Sequence, residues 1–181
     1  LLSSSYYGGL NSSVNPQLFG PYGVSKYQTD LRWHTLCARQ SRPLKVLTIP
    51  NPIGAFDNHK LLAQMAGCWA KGTAFQLKTP NFIRDNIPVT ALAQHIDKVI
   101  QGTGTLSPSG WISRMDQFAA AVAQQTADRT GWSCRIIHAP IDSPQPLCMH
   151  NRECIIPTTF DSIRFWDKTV EWMECVSRNF M

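Results

Sequence analysis

Hydrophobic and polar positions alternate along this chain between strand-like and helix-like spacing. The opening "LLSSS" reads as the end of a buried strand running into a loop, and "GGLNSSVNPQLFGP" is that loop, rich in Gly, Asn, Ser and Pro. From Tyr22 to about Gln40 the spacing is helical, with Leu31, Trp33, Leu36 and Cys37 expected on the buried face. "LKVLTIP" predicts a short buried strand closed by Pro50 and Pro52. "NHKLLAQMAGCWAKG" predicts a helix ending near Gly72, "TAFQLK" a strand and "NFIRDNIPV" an extended run. "TALAQHIDKVIQG" reads as an amphipathic helix with Thr90 at its N-cap, and "SGWISRMDQFAAAVAQQTADRTG" as a helix capped by Ser113. "SCRIIHAP" is a strand. The closing helix, "FDSIRFWDKTVEWMECVSRNF", carries Ile163, Trp166, Val170 and Met173 as a core stripe.

The order strand, loop, helix, strand, with a helix-length connection, is the grammar of a parallel α/β sheet. Ligands of such sheets sit beyond the carboxyl ends of the strands. "SSS" and "NPIG" both fall at such ends, so the two loops are expected to face one pocket. A buried strand also needs neighbours, so the "LLSSS" opening predicts that further chain precedes it.

Composition narrows the class. With 181 residues, 43% hydrophobic and 16% charged, the chain is long enough for one domain with a real core and does not read as disordered. No apolar run approaches the roughly 20 residues of a membrane span, and no signal-like segment is present. The net charge of +5 is spread along the chain, without the cluster a nucleic-acid surface needs. Neither a membrane nor a nucleic acid is therefore expected as partner. Cysteines 37, 68, 134, 148, 154 and 175 make no C-x-x-C pair. Cys148, His150 and Cys154 lie close in sequence but lack the companion pair of a metal finger. They read as reduced thiols of a cytoplasmic protein, with no metal.

The candidate chemistry lies in "PYGVSKYQTD". Tyr22 and Lys26 stand four residues apart at the head of the first helix, so both fall on one face. A phenol is a poor base at neutral pH, and an adjacent ammonium favours its phenolate. A serine hydroxyl nearby could hold a substrate oxygen whose proton is moving.

The order of these motifs resembles that of the extended short-chain dehydrogenase/reductases, the NAD-dependent epimerase/dehydratase family. "LLSSSYYGG" is similar to the family's strand ending in Ser-Ser/Thr with a following Tyr-Gly, and "GPYGVSK" to its Tyr-x-x-x-Lys. "VLTIPNPIGAFDN" resembles its Arg-x-x-Asn-x-x-Gly-Pro turn, with Asn51 and Gly54 in register and Thr48 in place of the usual Arg. "FIRDNIPVTALAQHIDKVI" resembles its "RDFIHVDDLA" segment at Arg84 and Asp85, and departs from it at Pro88, Thr90 and Ala91. The resemblance runs from Leu1 to about Ile100, and more loosely to the closing helix.

It implies the C-terminal part of a Rossmann-type doubly wound parallel sheet plus a smaller α/β substrate-binding region. Residues 1–55 would be the end of the NAD(P)-binding Rossmann domain, carrying the Tyr-x-x-x-Lys helix, and 56–181 a mostly substrate-binding region interleaved with the last Rossmann elements. Tyr22 would be the general acid/base, with Ser4 (or, on the other count, Ser3) beside it. Lys26 would support the phenolate and hold the nicotinamide ribose, and Pro50 would join Tyr22 and Lys26 at the cofactor, NAD or NADP. Asn51 and Arg84 would contact a nucleotide-sugar substrate, Arg84 through the diphosphate. The glycine-rich turn that seats the dinucleotide pyrophosphate does not occur in these residues. The expectation is therefore an inactive fragment that self-associates or pairs with an N-terminal half. Two other readings stay open: a reductase of a non-sugar carbonyl, and a non-catalytic nucleotide-sugar binder.

Overall fold

The computed structural model describes residues 2–4, 15–56, 60–101, 105–151 and 160–178. In chain order they form β1 (Leu2–Ser4), α1 (Gly20–Arg39), β2 (Val46–Ile49), β3 (Asn51–Ile53), α2 (Leu61–Ala70), β4 (Phe75–Leu77), β5 (Ile83–Pro88), α3 (Val89–Gln101), β6 (Thr105–Leu106), β7 (Trp111–Arg114), α4 (Met115–Thr130), β8 (Ile136–His138), β9 (Cys148–Met149) and α5 (Ser162–Ser177). A 3-10 turn at Pro16–Phe19 leads into α1. The chain divides into two units, each built from three separated segments.

Unit 1 comprises residues 1–52, 83–112 and 143–158. Its first sheet has the order β1-β2-β6, with both pairings parallel. The helix α1 supplies the crossover that parallel β1 and β2 require. Val46 and Leu47 are buried, as the apolar run of a central parallel strand demands. A second sheet runs β3-β5-β7, with β9 parallel on β5. The helix α3 packs on β2 and β5, and its Ala91 and Leu92 are buried.

Unit 2 comprises residues 53–82, 113–142 and 159–181. Here α5 packs against α2 and α4, around Met65, Trp69, Phe118, Val122, Trp172 and Met173. The parallel pair β4–β8 lies beside α2 and α4. The indole N–H of Trp69 donates to the Arg135 carbonyl at 3.0 Å, so this ring is buried with its polar group satisfied. The Asp161 side chain accepts from Arg164 N at the head of α5, and Gly131 ends α4 in the left-handed conformation that favours glycine.

Four expectations are corrected. Leu31, Trp33 and Leu36 of α1 are exposed (46, 45 and 43%) and Cys37 is only half-buried. The residues α1 buries are Gly23 and Asp30, two turns apart, and that inward face lies to one side of Trp33 and Leu36. Thr90 lies inside α3, which begins at Val89 where β5 ends, and so is not its N-cap. Ser113 belongs to β7 and does not cap α4: sheet pairing holds Trp111–Arg114 extended, and the helix starts at Met115. Ile163 points to solvent at 70% exposure, while Trp166, Val170 and Met173 of the same stripe are buried.

Candidate active site

Buried polar side chains behave differently in the two units. In unit 2, Thr126, Thr169 and Ser177 return their hydroxyls to carbonyls of their own helices. In unit 1, Asp85 and Asn151 instead tie separate segments together. Such side chains are costly to bury and are placed where backbone positions must be fixed.

The head of α1 is shaped by close packing. Asn15 accepts from Gln17 N at 2.9 Å and starts the 3-10 turn, and Gly20 has φ 61° where turn and helix join. A Cβ on Gly23 would meet the Pro16 carbonyl and, at 2.7 Å, the Phe19 side chain. Glycine at 23 therefore lets the turn lie directly on the helix. On the open side of the same turn Tyr22 is 52% exposed, with the Lys26 ammonium 5.7 Å from its ring centre. An ammonium at that distance is attracted to the ring face.

The parallel register sets Ser3 beside Thr48 and Ser4 beside Ile49. Ser4 and Ile49 are the last residues of β1 and β2, so the serine candidates and the Pro50–Asn51 turn share one end of one strand pair. Pro50 is buried, and Asn51 is half-buried at the start of β3. β3 neighbours β5, so Asn51 and Arg84 stand on adjacent strands. The structure thus groups the Ser4, Pro50 and Asn51 positions, places Arg84 one strand away, and puts Tyr22 and Lys26 on the helix that packs against β1.

Arg84 is only 5% exposed. Its Nη1 donates to the Ile83 carbonyl at 2.9 Å and the Leu147 carbonyl at 3.1 Å, while Nη2 lies 3.4 Å from Gln145 Oε1. The last contact is long for a hydrogen bond. Next to it Asp85, 2% exposed, accepts from Gly110 N at 2.6 Å and from Asn151 N at 3.1 Å.

Sequence reasoning matched Asp85 to a motif without giving it a task, and passed over Gln145 and Asn151. A carboxylate in the otherwise extended "FIRDNIP" was a usable signal, whereas Asn151 sits between two cysteines that drew attention to themselves. Cys148 is exposed and free, and Cys154 lies outside the described residues. Among the described residues no group of three His, Cys, Asp or Glu side chains could hold a metal ion, and no helix is long and apolar enough to cross a membrane.

No protein-family model and no curated protein matches the chain. Solved structures do match. UDP-glucose 4-epimerase of Thermus thermophilus, in complex with NAD, superposes with a TM-score of 0.69 at 18% identity, over 96% of this chain and 63% of that one. UDP-glucuronic acid 4-epimerase of Bacillus cereus, with UDP-glucuronic acid and NAD, gives 0.71 at 12% identity, over 97% and 60%. The dTDP-glucose 4,6-dehydratase of Bacillus anthracis str. Ames, with NAD, gives 0.72 at 16% identity, over 99% and 63%. The fold is thus that of the C-terminal part of Rossmann-like epimerases and dehydratases, and the chain spans about three-fifths of their length.

Proposed function

We propose that this chain carries the acid–base and substrate-binding residues of an NAD-dependent nucleotide-sugar epimerase or dehydratase. The observation that carries the reading is Lys26 over the Tyr22 ring, on the crossover helix of a parallel strand pair whose ends hold Ser4 and Pro50–Asn51. The shared fold of three NAD-bound nucleotide-sugar enzymes supports it.

In this reading Tyr22 Oη takes the proton of the sugar hydroxyl and later returns it, with Ser4 holding the same oxygen. Lys26 and Pro50 would hold the nicotinamide ribose. Bound NAD would supply the hydride acceptor and donor for the sugar carbon. Asn51 orients the sugar. Arg84 turns its Nη2 from Gln145 to a phosphate oxygen, a partner better matched to a guanidinium. Tyr22 is 52% exposed, so its phenol is open to a ligand. For the pyrophosphate the chain offers no glycine-rich turn, so that group is held by other polypeptide.

The test is product analysis with UDP-glucose, UDP-glucuronic acid and dTDP-glucose in the presence of NAD. It is run on the protein isolated from its own cells, so that any companion polypeptide is retained. An epimerised or dehydrated product that disappears in Tyr22→Phe is expected. Binding of the sugars without conversion would overturn the catalytic reading and leave a nucleotide-sugar binder.

A further inference from the structure

Asn151 is the point at which all three segments of unit 1 meet. Its side-chain Nδ2 donates to the Thr48 carbonyl at 2.9 Å and to the Pro108 carbonyl at 2.7 Å. Its backbone N–H donates to Asp85 Oδ2 at 3.1 Å, and Asp85 Oδ1 takes the N–H of Gly110 at 2.6 Å. Asn151 is 8% exposed and Asp85 2%, so these bonds are made out of water. Two carbonyl acceptors fix which end of the amide faces them, because only the NH2 group can donate to both. An aspartate there would turn an oxygen toward two oxygens.

The run of chain that ends at Asn151 also grips Arg84. The Leu147 carbonyl and the Gln145 side chain receive its guanidinium, and Met149 is its partner in the β5–β9 register. The run from Gln145 to Asn151 therefore holds Arg84 at one end and the carboxyl end of β2 at the other, two residues before Pro50. Nothing in the packing of an apolar core requires that link.

We infer that Asn151 is a positioning residue, which fixes the Arg84 guanidinium relative to the Pro50–Asn51 turn and so sets the affinity for a nucleoside diphosphate sugar. The affinity part rests on the proposed function. The positioning part does not, and the two are separable by experiment.

The test compares the 181-residue chain with Asn151→Asp and Asn151→Ser. The Arg84 Nε–H signal is followed by NMR, assigned by its loss in Arg84→Lys, and UDP-glucose binding is measured by calorimetry. Thr126→Val, which removes a buried hydroxyl of unit 2, controls for loss of stability alone. Asn151→Asp should move the Arg84 signal and weaken UDP-glucose on the order of tenfold, the scale of one buried hydrogen-bonded pair, while Thr126→Val leaves both unchanged. A folded Asn151→Asp chain with the Arg84 signal in its wild-type place overturns the inference, as does an equal displacement in Thr126→Val. If Asn151→Asp does not fold, Asn151→Ser decides by the same criteria. If the wild type binds no UDP-glucose, the proposed function falls, and the Arg84 signal alone decides the positioning role.

Discussion

The Lys26 ammonium lies 5.7 Å from the centre of the Tyr22 ring, on the exposed side of α1. This pairing follows from four-residue spacing on a helix, and it leaves Tyr22 half exposed. In a turnover-competent preparation, Tyr22→Phe should lower the rate about a hundredfold, as expected for loss of a general acid/base, with cofactor binding little changed. Lys26→Ala should reduce both rate and cofactor affinity. Steady-state kinetics with NAD titration separates the two patterns.

Gly23 is where the turn Pro16–Phe19 rests on α1. Gly23→Ala should destabilise the fold by roughly 1–3 kcal/mol, the usual cost of forcing a group into a filled space. Chemical denaturation reads the loss. A wild-type midpoint would mean that the turn gives way at no cost.

Arg84→Ala should act twice. It leaves the Leu147 and Ile83 carbonyls without their guanidinium donor, so unfolding moves to lower denaturant. It also raises the apparent substrate constant more than it lowers the rate of the chemical step, because a phosphate anchor binds ground state and transition state alike. A change in stability with no change in substrate constant would assign Arg84 to the fold alone.

The parallel strand pair around α1 was legible because "LLSSS" and "LKVLTIP" are short apolar runs separated by a helix-length connection, and the structure pairs them in register. What failed was the face of α1. Apolar periodicity marks Leu31, Trp33 and Leu36, but burial follows the positions where the helix approaches its unit, Gly23 and Asp30. Ser113 failed for a related reason: β7 draws the residues before α4 into a sheet, a pairing that local pattern does not contain. The Tyr22–Lys26 pair was readable since it depends on spacing alone. The Asp85–Asn151 link joins residues 66 positions apart and has no local signature.

Thiol chemistry provides a pH-dependent check of unit 2. Burial raises the Cys134 thiol from its ordinary 9.0 to about 11, whereas Cys148 and Cys175 are exposed. At pH 8 iodoacetamide should label Cys148 and Cys175 well before Cys134, as read by peptide mass spectrometry. The folded value lies above the unfolded one, so the stability Cys134 contributes is complete below pH 9.0 and is lost as pH rises toward about 11. Equal labelling of all three would place Cys134 at the surface.

In the proposed function these residues form the substrate and acid–base end of an epimerase or dehydratase, without the cradle for the dinucleotide pyrophosphate. Paired calorimetric titrations of the 181-residue chain with UDP-glucose and with NAD decide this assignment. UDP-glucose should bind, with the binding lost in Arg84→Ala, and NAD should give no tight binding, since no glycine-rich turn is present to hold its phosphates. Micromolar NAD binding by this chain, or no binding of UDP-glucose, would contradict the claim.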